Sequence, residues 1–268
     1  MLGIGESDQN WRWAAFGKHP VARDFFRVGP DFPLIKGFSD WVEDGYQVLA
    51  SQKKAFHELC SWRFWARGSQ KESLACGLVK DSSDSLGRPY PLLIMGTGPL
   101  NGWEDHWDLL PFAFERVWDQ IEYLSAQIFN DFRKLEVEIQ NIRPPLSHWS
   151  ELSAKRVSLK EFESAFDPKE AWWDLGDLRR MASSISEKTE VFFRLDRDPL
   201  HDQFIMIGLW HFLLKNEAKI IPNALFMGGT FESPHLAVFR RPLMATDFVQ
   251  LWSVPSNEVK ENGARITG

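Results

Sequence analysis

Apolar positions along this chain switch between short continuous runs and helical spacings, and the switching predicts its elements. Trp11 to Phe16 is a brief apolar run ended by Gly17, the pattern of a buried strand. Pro33 suits a first helical turn, and after it Leu34, Phe38, Trp41, Val42 and Leu49 share one helical face. Trp62–Ala66 and Leu74–Val79 predict neighbouring strands around the turn Arg67-Gly68-Ser69. The polar stretch Asp81–Arg88 then predicts a loop that feeds a further strand, Tyr90–Met95. A long amphipathic helix follows over 108–129, carried by Leu110, Phe114, Val117, Ile121, Leu124 and Ile128.

The second half is less regular. Pro144-Pro145 interrupts the next helical segment, because neither proline donates a backbone hydrogen bond, and a subdomain seam is expected near 143–147. Ser158 and Glu161, three apart before Phe162, have the arrangement of a capping box, so a helix is expected to start there. Glu190–Leu195 reads as a strand, and the length of the run Phe204–Leu214 favours helix over strand. Ala224–Met227 and His235–Arg240 flank Gly228-Gly229 and Pro234 as a strand pair, and Thr246 is placed to cap a final helix through Trp252. Strands alternating with helices predict an α/β layered fold, with enough consecutive strands to make the sheet mixed. Residues 1–10 and 253–268 are expected to be flexible, leaving 11–252 as one domain.

Composition sharpens this picture. Aromatic residues are 14% of the chain, with 13 Trp and 21 Phe, which predicts a bulky core and a few tryptophans left at the surface for contacts. A formal net charge of -6 works against binding nucleic acid. No window approaches the roughly 18 apolar residues of a membrane span and no leader precedes the first strand, so membrane insertion is not expected and the location is read as cytoplasmic. Cys60 and Cys76 lack the spacing of a disulfide framework or a zinc site and read as small buried hydrophobes.

Few residues stand at spacings that carry chemistry. The seven His residues include no pair at metal-ligand spacing, so neither a metal nor a cofactor is expected. Gly17-Lys18 lacks the remaining positions of a phosphate loop. Asp81 and Asp84 lack the alternation of a calcium loop and read as a solvated turn. A hydrolase built on His19 and Asp24 is the minority enzyme reading, and no enzyme activity is expected.

Two segments stand out. Gly17-Lys18-His19-Pro20-Val21-Ala22-Arg23-Asp24-Phe25 ends a strand at a glycine and closes a charged loop on an aromatic ring, and Asp84-Ser85-Leu86-Gly87-Arg88-Pro89-Tyr90-Pro91-Leu92 presents Arg88 just before a strand. Both resemble the signature segments of the TagF-like (ImpM) family associated with type VI secretion. The likeness extends more weakly to Leu225–Gly229, His235–Pro242 and Asp247-Phe248, while 129–197 does not align. Arg23 stands where the family more often has glycine, so a differently shaped loop is expected there. The resemblance implies a three-layer α/β/α sandwich, a post-translational and usually repressive role, and a protein partner carrying a forkhead-associated domain. Lys18, Arg23, Asp24, Asp84 and Arg88 are therefore the candidates for partner contact or for a clasp between loops, with Lys18 read as solvated. An assembly adaptor of the same machine is the alternative role.

Overall fold

The computed structural model describes residues 11–52, 59–165, 175–195, 203–218 and 220–264. Among the described residues, eight strands form one sheet in the order β2-β1-β5-β4-β3-β7-β8-β6. They are β1 Arg12–Gly17, β2 Phe26–Val28, β3 Ser61–Arg67, β4 Ser73–Lys80, β5 Leu92–Pro99, β6 Glu190–Arg194, β7 Ala224–Gly229 and β8 Pro234–Phe239. Every strand pairing is antiparallel, which corrects the expected mixed sheet. Short loops join β3 to β4 and β7 to β8, and antiparallel neighbours need nothing longer. The long crossovers, from β2 to β3, β5 to β6 and β6 to β7, join strands that are not neighbours in the sheet, so none of them creates a parallel pair.

Strand alternation divides the core in two. Trp62, Phe64 and Ala66 of β3 face one side, where α1 Pro33–Ser51 and α7 Ala245–Ala264 pack with Trp41, Val42, Phe248 and Trp252. Trp65 of the same strand faces the other side, with α2 Leu110–Ala126, α3 Phe132–Gln140, α4 Trp149–Ala165, α5 Leu175–Ser184 and α6 Gln203–Ala218. The result is the three-layer α/β/α arrangement. Cys60 and Cys76 are not joined in a disulfide, and both are buried, on opposite faces of the sheet. Among the described residues no tryptophan is exposed, against the expectation of a few; Trp172 and Trp173 lie outside those residues.

Helix starts differ from the sequence reading where side chains had alternatives. The helix expected to begin at Ser158 begins at Trp149, and Ser158 Oγ donates to the Ala154 carbonyl at 3.3 Å. A hydroxyl in mid-helix satisfies itself one turn back as readily as it caps. At α7 the cap is supplied by Asp247, whose Oδ2 accepts the Met244 N–H at 2.8 Å, while Thr246 lies inside the first turn. The helix then continues through Pro255, over part of the stretch read as a tail. β2 and α5 have no counterpart in the sequence reading: three residues are too few to show an alternation, and α5 spans only ten residues. The expected flexible residues 1–10 lie outside the described residues.

Candidate functional site

β1 and β5 pair so that Gly17 lies opposite Leu92, and this register delivers both charged loops to the same end of the sheet. Gly17 has φ +119, and a Cβ there would lie 2.0 Å from the Pro91 carbonyl oxygen. Only glycine lets the two strand ends approach this closely. The loop it releases bonds the other through Ser85, whose N–H donates to the Ala22 carbonyl at 2.9 Å.

Asp84 is the centre of the arrangement. Its side chain is buried and accepts from the Leu86 and Arg88 N–H groups, each at 3.0 Å, and from Arg88 Nε at 2.7 Å. Lys18 Nζ lies 3.0 Å from Asp84 Oδ2. Arg88 Nη2 then reaches across to donate to the Arg23 carbonyl at 2.8 Å and to pair with Asp24 at 3.3 Å. Four of the five candidate side chains therefore form one clasp, and the fifth, Arg23, enters it through its backbone. Lys18 is not solvated: its side chain is 13% exposed and engaged with Asp84. Arg23 is not among the residues with positive φ, so the loop accepts an ordinary side chain where the family more often has glycine.

Burial would raise the pKa of Asp84. The Arg88 N–H, the Lys18 ammonium, the Leu86 N–H and the Arg88 guanidinium outweigh it and hold the carboxyl well below the usual carboxylate range. The sign follows from linkage. A depressed carboxyl contributes its stability above the unfolded value and loses it only as pH falls through the lower folded value. The clasp should thus stay closed on acidification to about pH 4. Asp84→Ala should open it at neutral pH, raising amide exchange at Leu86 and Arg88 about tenfold or more, since both N–H groups lose their acceptor. Hydrogen–deuterium exchange checks this, and unchanged protection would show that the turn is held by other means.

Residues 14–142 match the family model of the TagF N-terminal domain, type VI secretion system-associated. The chain carries a TagF N-terminal domain. That domain links the protein to type VI secretion and contains every clasp residue. Comparison with curated proteins finds no match. Among solved structures, the chain is similar to the crystal structure of PA0076 from Pseudomonas aeruginosa PAO1, at 21% identity and a TM-score of 0.38. The likeness covers 50% of this chain and 64% of that one, and so distant a match adds no argument.

Around the TagF domain's clasp the remaining candidates separate. Asp81, three residues from Asp84, points elsewhere: Oδ2 accepts the Cys60 N–H at 2.8 Å and Oδ1 accepts Trp252 Nε1 at 2.7 Å. The two acids are structural anchors with different partners, which corrects the solvated turn. Asp81 borders a cleft of about 660 Å³ whose lining includes Pro20, Tyr46, Lys80, Tyr90 and Trp252. His19 is buried, its Nδ1 accepts the Val21 N–H at 3.2 Å, and burial lowers its pKa. Asp24 instead accepts the Phe25 N–H at 2.8 Å and faces Arg88, and among the described residues no hydrogen bond joins it to His19. Among the described residues no group of three or more His, Cys, Asp or Glu is placed to hold a metal ion, and no helix is long and apolar enough to cross a membrane.

Sequence reasoning missed a second ionic centre. Asp108 is buried and takes Arg156 bidentately, at 2.7 and 2.8 Å, together with Lys215 at 2.7 Å. Its partners lie 48 and 107 positions away, so no local spacing signals it.

Proposed function

We propose that this protein is a non-catalytic, cytoplasmic regulator of a type VI secretion system, repressing it after translation by contact with a scaffold component that carries a forkhead-associated domain. What carries the reading is the closing of the two TagF-like segments into one ion-paired surface feature at the sheet end, inside the matched residues 14–142. Loops placed by a rigid sheet are where recognition side chains sit. The geometry favours contact over chemistry. His19 and Asp24 accept from separate backbone N–H groups, and among the described residues no hydrogen bond joins the two, which supports the contact reading.

Secretion of a hallmark substrate should rise in a deletion strain and fall on overexpression, and affinity capture of the tagged protein should recover the forkhead-associated component. Loss of secretion on deletion would instead favour the assembly adaptor. Unchanged secretion with no recovered component would overturn the proposal.

A further inference from the structure

The turn that Asp84 holds so completely supports nothing inside the protein at its own tip. Gly87 N–H closes the turn on the Asp84 carbonyl at 2.9 Å, and a Cβ at Gly87 would meet nothing within 4 Å. Leu86 beside it is 71% exposed, and Phe25 on the joined loop is 43% exposed. Arg23 is exposed and its guanidinium makes no hydrogen bond or ion pair among the described residues. Arg88 keeps 49% of its side chain in solvent.

We infer that Leu86 is a preformed docking knob that enters an apolar socket on a partner protein, with acidic side chains around that socket meeting Arg23 and Arg88. The inference rests on the reading of the protein as a partner-binding regulator, and it adds the surface and the chemistry of the partner. Charge decides the sign. The clasp brings three cations, Lys18, Arg23 and Arg88, against two carboxylates, Asp24 and Asp84, in a chain whose formal net charge is -6. A local positive spot on an acidic molecule steers an acidic face toward it, while the net charge of -6 on each copy opposes self-association. Rigidity adds the second argument. Four hydrogen bonds or ion pairs to Asp84 fix the turn before binding, so an apolar anchor at its tip loses little conformational freedom on docking.

The test is a titration of the purified forkhead-associated component against the full chain and three variants. Leu86→Asp is expected to weaken binding about 30-fold or more, as loss of a central anchor does. Arg23→Glu is expected to weaken it about tenfold and to reduce its dependence on salt, as loss of a rim charge does. Lys188→Glu, next to β6 at the opposite edge of the sheet from β2, should stay within about twofold. Leu86 and Arg23 are exposed, so both variants should unfold at the wild-type temperature. Tight binding by wild type that neither Leu86→Asp nor Arg23→Glu disturbs overturns the inference and leaves the regulatory reading standing. Absence of binding by wild type overturns both.

Discussion

Trp65→Ala is expected to cost about 4 kcal/mol of unfolding free energy, among the largest losses for any single truncation in this protein. Trp65 has no exposed surface and sits on β3 in the middle of the sheet, between Cys76 of β4 and Leu225 of β7. Its ring approaches Trp103 at 6.0 Å and Trp107 at 6.1 Å, so removing it empties the centre of an aromatic cluster that rigid neighbours cannot refill. It also carries a polar duty. The indole N–H donates to His211 Nε2 at 3.0 Å, while His211 Nδ1 meets the Ile207 carbonyl at 2.8 Å. That pairing requires a neutral imidazole, and burial pushes the His211 pKa down to about 4. For a base with a depressed folded pKa, stability is complete above the unfolded value near 6.5 and drains as pH falls toward 4. Urea unfolding at pH 7 and pH 5 should therefore show a large loss for Trp65→Ala at both, with a smaller acid penalty than wild type because the variant hydrates His211. A loss under about 1 kcal/mol would contradict the packing described.

Asp108→Ala is the second large effect, expected at about 3 kcal/mol. The carboxylate ties the start of α2 to Arg156 of α4 and Lys215 of α6, and Lys215 Nζ also reaches the Asp105 carbonyl. Burial opposes its charge, but the two cations outweigh that and lower its pKa. Removing it leaves two cations without their anion against a partly dry surface. Their side chains are each 26% exposed, so water recovers part of the cost, and the expected value sits at the low end for a broken buried pair. Thermal unfolding of Asp108→Ala, Lys215→Met and the double variant checks the coupling. The double variant should be more stable than the sum of the two losses predicts, since Lys215 no longer needs a partner. Strict additivity would mean that the ions act independently.

Much of this architecture is legible in one dimension. The helical face of Leu34, Phe38, Trp41, Val42 and Leu49 became α1, and the apolar runs around Trp62 and Leu74 became paired strands. These readings succeed because burying a stripe or a face is a local requirement with its own period. Ser158 and Thr246 misled for a related reason. A polar side chain near a helix has several acceptors within reach, and the choice among them depends on where the helix is anchored.

Most of the elements, the aromatic character of the core and the two charged glycine-bearing segments can be read along the chain, because propensity, periodicity and turn chemistry act within a few residues. That every strand runs antiparallel to its neighbours, that Asp84 joins Lys18 and Arg88 while Asp81 turns to Trp252, and that Asp108 gathers Arg156 and Lys215 are set by the fold as a whole. Those outcomes hang on which distant strand ends meet. That is set by how two layers of helices cover one sheet, and no spacing along the chain records it.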